Sequence, residues 1–121
     1  MVRVGVDIIE IERIERVIAR WGDRFLKRVY TPAEVAYSRG HVPELAARFA
    51  AKEAVSKALG TGMQGISWRE MEILGDERGK PLVRLHGQAQ ARAEYLGLTE
   101  LDVSLSHSCE NAVAMVVAMG S

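Results

Sequence analysis

The sequence predicts an α+β fold, an antiparallel sheet packed against helices, and three observations predict it. Short β-branched runs stand near both ends of the chain. A long segment free of Gly and Pro, rich in Ala, Leu, Glu and Lys, stands in the middle. The order of elements is strand, helices, hairpin, helix, hairpin, not a regular alternation of strand and helix.

Residues 2–6 are apolar at alternate positions and read as a strand. Asp7 stands where that strand is expected to hand over to a helix. Ile11, Ile14, Ile18 and Trp21 then recur at steps of three and four, the stripe of an amphipathic helix, until Gly22 interrupts it. Thr31-Pro32-Ala33-Glu34 sets a capping Thr before Pro at the first helical position, with Glu at the third. A short helix should run to about Arg39 and stop at Gly40. Residues 43–59 form the longest expected helix, ended by Gly60-Thr61-Gly62 and a glycine-rich loop to Gly65. Residues 70–74 and 82–85 flank the turn 76–81 and suggest a hairpin. Residues 87–96 form a helix closed by Gly97. Residues 101–105 and 112–118 are strands flanking His107-Ser108-Cys109-Glu110-Asn111.

At 121 residues the chain fits one domain, 1–121, whose small core would gain from assembly. Formal net charge is zero, so bulk charge gives no argument for nucleic acid or a membrane surface, and any charged partner must meet a local patch. The single thiol, Cys109, cannot close a bridge within the chain, and a reducing interior is the simple reading. The first fifteen residues turn charged too early for a secretory signal, and no apolar run is long enough to span a bilayer, so a cytoplasmic protein is expected.

The chemistry-bearing residues fall into four groups. Asp7 reads as a helix N-cap or as a metal ligand at a strand end, and the two are compatible. In Arg48-Phe49-Ala50-Ala51-Lys52-Glu53-Ala54-Val55-Ser56-Lys57, Arg48 shares a face with Lys52, and Glu53 with Lys57. Ordinary surface pairing accounts for that. Small alanines around the polar residues, with bare glycine backbone directly after, suit the close approach of a phosphate equally well. His107 lies between two serines and could donate to an anion. The pattern lacks a G-x-S-x-G elbow, a P-loop and a dinucleotide fingerprint. Arg13, Arg16, Arg20, Arg24 and Lys27 draw a basic stripe, either a solvated face or a landing strip for an acidic protein.

Gly5-Val6-Asp7, followed after some forty residues by the run from Arg48 to Lys57, resembles the paired signature of the phosphopantetheinyl transferase superfamily. The short length and the Ser106-His107-Ser108 turn are similar to its small bacterial branch, and the likeness spans essentially the whole chain. It implies transfer of 4′-phosphopantetheine from coenzyme A to a serine of apo acyl carrier protein. It further implies magnesium held by Asp7 and Glu53, and Lys57 against the phosphates, with Asp7, Glu53 and Lys57 forming the catalytic set. Coenzyme A recognition would fall to Arg48, His107 and the loop Gly60, Thr61, Gly62. The acidic carrier would dock on Arg13, Arg16 and Arg20, and the enzyme would be a homotrimer with sites between subunits. Two rivals remain open on the residues themselves: a non-catalytic module that holds an acidic protein, and an acyltransferase working at the thiol end of coenzyme A.

Overall fold

A computed structural model describes residues 1–120. Strand β1 (Val2–Glu10) leads into helices α1 (Ile11–Trp21), α2 (Asp23–Val29), α3 (Pro32–Ser38) and α4 (Val42–Leu59). A 3₁₀ turn (Trp68–Glu70) follows, then β2 (Met71–Gly75), β3 (Pro81–Leu85), α5 (Gly87–Tyr95), β4 (Leu98–His107) and β5 (Asn111–Gly120). The α+β class is as expected. The strands, however, form two sheets: a three-stranded sheet in the order β1-β5-β4 and the separate hairpin β2-β3, antiparallel throughout.

Strand β1 is longer than the 2–6 run, and Asp7 lies inside it, paired in register with Ala114 of β5. The N-cap reading of Asp7 therefore fails: Glu10 holds that position and makes no side-chain cap bond. Pairing along the whole of β5 has outweighed the poor strand preference of Asp. The stripe of α1 holds at Ile11 and Ile14, both buried, but Trp21 is 48% exposed. Gly22 adopts φ 54° and separates α1 from α2, so the basic stripe is shared between two helices. The capping box of α3 forms as expected: Glu34 N donates to Thr31 Oγ1 and Thr31 N donates to Glu34 Oε1.

Helix α4 is the centre of the core. Ala46, Ala47, Ala50, Ala51, Ala54, Val55, Ala58 and Leu59 are sealed against the sheet and the hairpin. Apolar burial reaches most of the way round it, which marks a central helix and not a surface one. On the sheet side it meets Ala112, Ala114, Val116 and Ala118 of β5 and the inward face of β1. The approach to β1 is so close that a Cβ on residue 5 would collide with the carbonyl oxygen of Ala54. Gly5 is therefore the condition for α4 to lie on the strand that carries Asp7.

The other face of the three-stranded sheet is apolar and uncovered. Val2, Val4, Val6 and Ile8 are each 56–65% exposed, and Met115 and Met119 of β5 stand in register beside Val6 and Val2 at 51% and 47%.

Candidate active site

The site forms where α4 crosses the free edge of β1. The inward face of β1 is Arg3, Gly5, Asp7 and Ile9, by strand alternation. Gly5 admits the helix, and Asp7, two residues on, meets its side. Lys57 Nζ donates to the backbone oxygen of Val6 at 2.9 Å and to Asp7 Oδ1 at 3.1 Å. Asp7 is 20% exposed and Lys57 52%, so the pair is open to a solute. Glu53, one helical turn before Lys57, is half-buried beside them. Burial raises its pKa first and the charge of Asp7 second, while Lys57 and Arg13 oppose the rise. Two carboxylates from distant parts of the chain thus share one neighbourhood, with a lysine over one of them and Arg13 of α1 close by.

The end of α4 is built for bare backbone. Gly60 takes φ 76° as its C-cap and donates its N–H to Lys57 O. Two of the last carbonyls are satisfied by arginines: Arg3 Nε donates to Ala58 O at 2.6 Å and Arg92 Nε to Leu59 O at 3.0 Å. The loop Gly60, Thr61, Gly62 begins three residues after Lys57, at the end of the helix that carries Glu53. Thr61 Oγ1 donates to Gly62 O at 2.8 Å.

Arg48 and His107 are not part of this cluster. Arg48 is 2% exposed. Its Nε donates to Ile73 O at 3.1 Å, its Nη1 to Glu44 Oε2 at 3.0 Å, and its guanidinium lies 4.6 Å from the centre of the Tyr37 ring. It is turned toward α3 and β2 and braces them. His107 ends β4, in register with Ala112 and, through it, with Ile9. It is exposed and shares the inward face with Asp7, but on the opposite edge strand, about 12 Å away across two strand spacings and two residues along.

The arginines expected to meet a carrier divide as well. Arg16 is exposed and only loosely opposed to Glu12 at 3.9 Å. Arg20 stands over the Trp21 ring at 5.1 Å, and Arg24 flanks the same ring at 5.8 Å. Beside them lies an aromatic groove of about 580 Å³ lined by Val17, Trp21, Phe25, Phe49 and Trp68, with Phe49 stacked on Trp68 at 4.8 Å. Sequence reasoning missed this groove. Its signal was Phe49, an aromatic residue within the signature run. A larger cavity, about 730 Å³ between β3, α5 and β4, contains none of the candidate site residues.

Surface pairing does not describe Lys52. It is fully buried on an ion pair with Glu34 at 2.8 Å, and sequence reasoning missed both its burial and its partner.

These features have a known counterpart. The family model of the 4′-phosphopantetheinyl transferase superfamily matches residues 3–115, and the chain belongs to that superfamily. A holo-[acyl-carrier-protein] synthase of Herpetosiphon aurantiacus is 53% identical to it over 99% of this chain and 100% of its own. The crystal structure of the Helicobacter pylori synthase in complex with coenzyme A superposes with a TM-score of 0.88 at 32% identity, covering 96% of this chain and 99% of that one. The Neisseria meningitidis synthase gives 0.88 at 36% identity, covering 97% of each chain. The chain is accordingly a transferase of the holo-[acyl-carrier-protein] synthase type.

Proposed function

We propose that this enzyme transfers the 4′-phosphopantetheine group of coenzyme A to a serine hydroxyl of apo acyl carrier protein and releases adenosine 3′,5′-bisphosphate. The observation that carries the mechanism is the juxtaposition of Asp7, Glu53 and Lys57 at the edge of β1. Two carboxylates held together, one of them pushed toward protonation by burial and then by the charge of the other, are a site that a divalent cation relieves. Among the described residues no group of three or more acidic, His or Cys side chains gathers. That suits magnesium, which takes one or two carboxylates and fills its remaining positions with water and substrate phosphates. Asp7 and Glu53 would hold it, and once bound it would draw charge from the pyrophosphate.

The remaining work falls to the chain. The serine oxygen bonds to the phosphorus on the pantetheine side, and the bond from that phosphorus to the bridging oxygen breaks. The leaving nucleotide keeps the electron pair. Lys57, fixed to β1 yet half open to solvent, supplies positive charge where the leaving phosphate gains negative charge. Glu53 accepts the serine proton, directly or through a water, from its place beside Asp7 and Lys57. The glycine loop, whose Gly60 and Thr61 N–H groups close the end of α4, leaves backbone without side chains at Gly60 and Gly62 for close approach of the nucleotide. Arg48 serves as a brace for α4 and does not touch the coenzyme, because its guanidinium is buried and already paired.

We further propose that His107 contributes to coenzyme recognition from a neighbouring subunit of a homotrimer. Asp7 and His107 occupy opposite edges of one sheet, and the apolar outer face of that sheet has the composition of a surface that a second copy covers. The acidic carrier docks on α1 through Arg13, Arg16 and Arg20, with Arg13 also near Glu53 and so linking the docking helix to the chemistry. Among the described residues no helix is long and apolar enough to cross a membrane, and Cys109 is an exposed free thiol, which supports a reducing cytoplasm.

The test is a mass measurement. Protein, magnesium, coenzyme A and apo carrier are mixed and the carrier is weighed. Gain of one phosphopantetheine, lost on adding a chelator, supports this reading. Binding without mass change points to the docking module, and transfer of an acyl group alone to the acyltransferase.

A further inference from the structure

Lys52 immediately precedes Glu53 and takes no part in the chemistry above. Its ammonium is wholly buried and donates to Met71 O at 2.7 Å, Glu34 Oε1 at 2.8 Å and Trp68 O at 3.1 Å, one acceptor for each N–H. Glu34 is equally sealed. Its Oε1 also accepts from Thr31 N, and its Oε2 accepts from Ile73 N at 2.9 Å. The pair therefore ties α4 at once to the start of α3, to the 3₁₀ turn and to β2.

Stability alone is a poor account of this arrangement. Removing two charges from water costs about as much as their attraction returns, and apolar residues of similar volume often serve as well. What the ion pair adds is direction, since hydrogen bonds converge on one nitrogen from fixed points on three elements. The opposite side of α4 gives a reason for needing direction. There Ala54 and Ala58 lie against Gly5 of β1, with Ala50 and Ala51 buried in the same core, small side chains that resist rotation of the helix weakly. Side-chain tips lie about 5–6 Å from a helix axis, so a turn of about 20° moves them by about 2 Å. A misplacement of about 1 Å can cost a reaction about 100-fold.

We infer that the buried Lys52–Glu34 pair is a positioning lock, setting the rotation of α4 about its own axis and thereby the placement of Glu53 and Lys57 against Asp7. This inference rests on the reading of Asp7 and Glu53 as the pair that holds magnesium on coenzyme A. It makes Lys52 and Glu34 positioning residues that touch neither substrate nor metal.

The experiment replaces the pair by apolar residues of like size, Glu34→Leu with Lys52→Met, in the full chain. Calorimetry measures coenzyme A binding with and without magnesium, beside kcat and thermal melting. In the native protein magnesium should tighten coenzyme A binding. In the double variant most of that tightening should be gone, by about tenfold or more, with kcat lower by a similar factor and metal-free affinity within about twofold. A pair that merely stabilises the fold would leave the magnesium effect intact once the variant is folded. A folded double variant with native magnesium tightening and native kcat overturns the lock. If the double variant does not fold, Glu34→Gln is measured the same way. A loss of tightening of about threefold or more supports the lock, and none overturns it. A native protein whose coenzyme affinity ignores magnesium overturns the reading of Asp7 and Glu53 itself. That result is distinct from failure of the lock, in which the native protein responds and the double variant responds equally.

Discussion

On the side of α4 that faces β1, Glu53 and Lys57 stand one turn apart and within reach of solvent. On the side that faces α3 and β2, Arg48 and Lys52 stand one turn apart and are sealed from it. The two pairs look alike as sequence, and the surroundings assign them opposite tasks. Around Lys52 each donor has an acceptor, so nothing is left for a ligand. Around Glu53 the balance differs: burial, and then the charge of Asp7, push it toward its proton against Lys57 and Arg13, and no hydrogen bond compensates. A satisfied network fixes structure, whereas an unsatisfied one invites a cation or a proton.

That contrast is sharpest in the effect of removing one charge from each side. Glu53→Gln should lower kcat/KM for carrier modification by about 10²–10⁴-fold, the range lost with a general base, and leave the fold intact. Near-normal turnover would show that the open side is not the reacting side. Lys52→Met alone should do the reverse, costing about 3–5 kcal/mol of stability in a urea titration because Glu34 is left buried and unpaired. If that variant melts like the native protein, the sealed side is not the one that holds the helix.

Two further measurements grade the open side. Lys57→Ala should cost about 2 kcal/mol of transition-state stabilisation, read as kcat/KM, yet little stability, since an ion pair this exposed contributes little. The pH dependence of melting has a definite sign. The folded pKa of Glu53 is raised, so its contribution to stability is present below the ordinary glutamate value, about 4.3, and is lost as pH rises through the raised one. Without metal, the melting temperature of Glu53→Gln relative to native should therefore climb from acid toward neutral pH. A constant difference would mean that neither burial nor Asp7 raises Glu53 in the folded chain. Gly5→Ala should destabilise by about 1–3 kcal/mol, since a Cβ there meets the backbone of α4.

Much of this layout could be read before any coordinates. The capping box at Thr31 and Glu34 and the glycine stop at Gly60 are local chemistry, and both formed where expected. Juxtaposition was less legible. Asp7 reads in the sequence as a helix N-cap or a ligand at a strand end, because the apolar alternation is placed at residues 2–6, and only the pairing of β1 along the whole of β5 shows the strand continuing to Glu10. Splitting of the strands into two sheets likewise depends on partners far away in the chain. The burial of Lys52 could not be read from periodicity, because a helix apolar nearly all round gives no face to call the outside. Glu34 was recognised as a cap, and its second task, holding Lys52, depends on α3 and α4 meeting in space.

The mildest test concerns surface charge, where the comparison passes from α4 to α1. Arg16 and Arg20 are on the docking helix but are not among the charges that shift Glu53, whereas Arg13 is. Reversing both to Glu should therefore slow carrier association by about tenfold at low salt and flatten its dependence on ionic strength, because screening acts on long-range attraction and not on the chemical step. Coenzyme A binding and kcat at saturating carrier should change little. The argument depends on that separation of effects. Equal loss for carrier and coenzyme would mean that α1 belongs to the coenzyme site or that its packing through Ile11 and Ile14 has failed, and a melting curve would distinguish these by showing whether the helix is still in place.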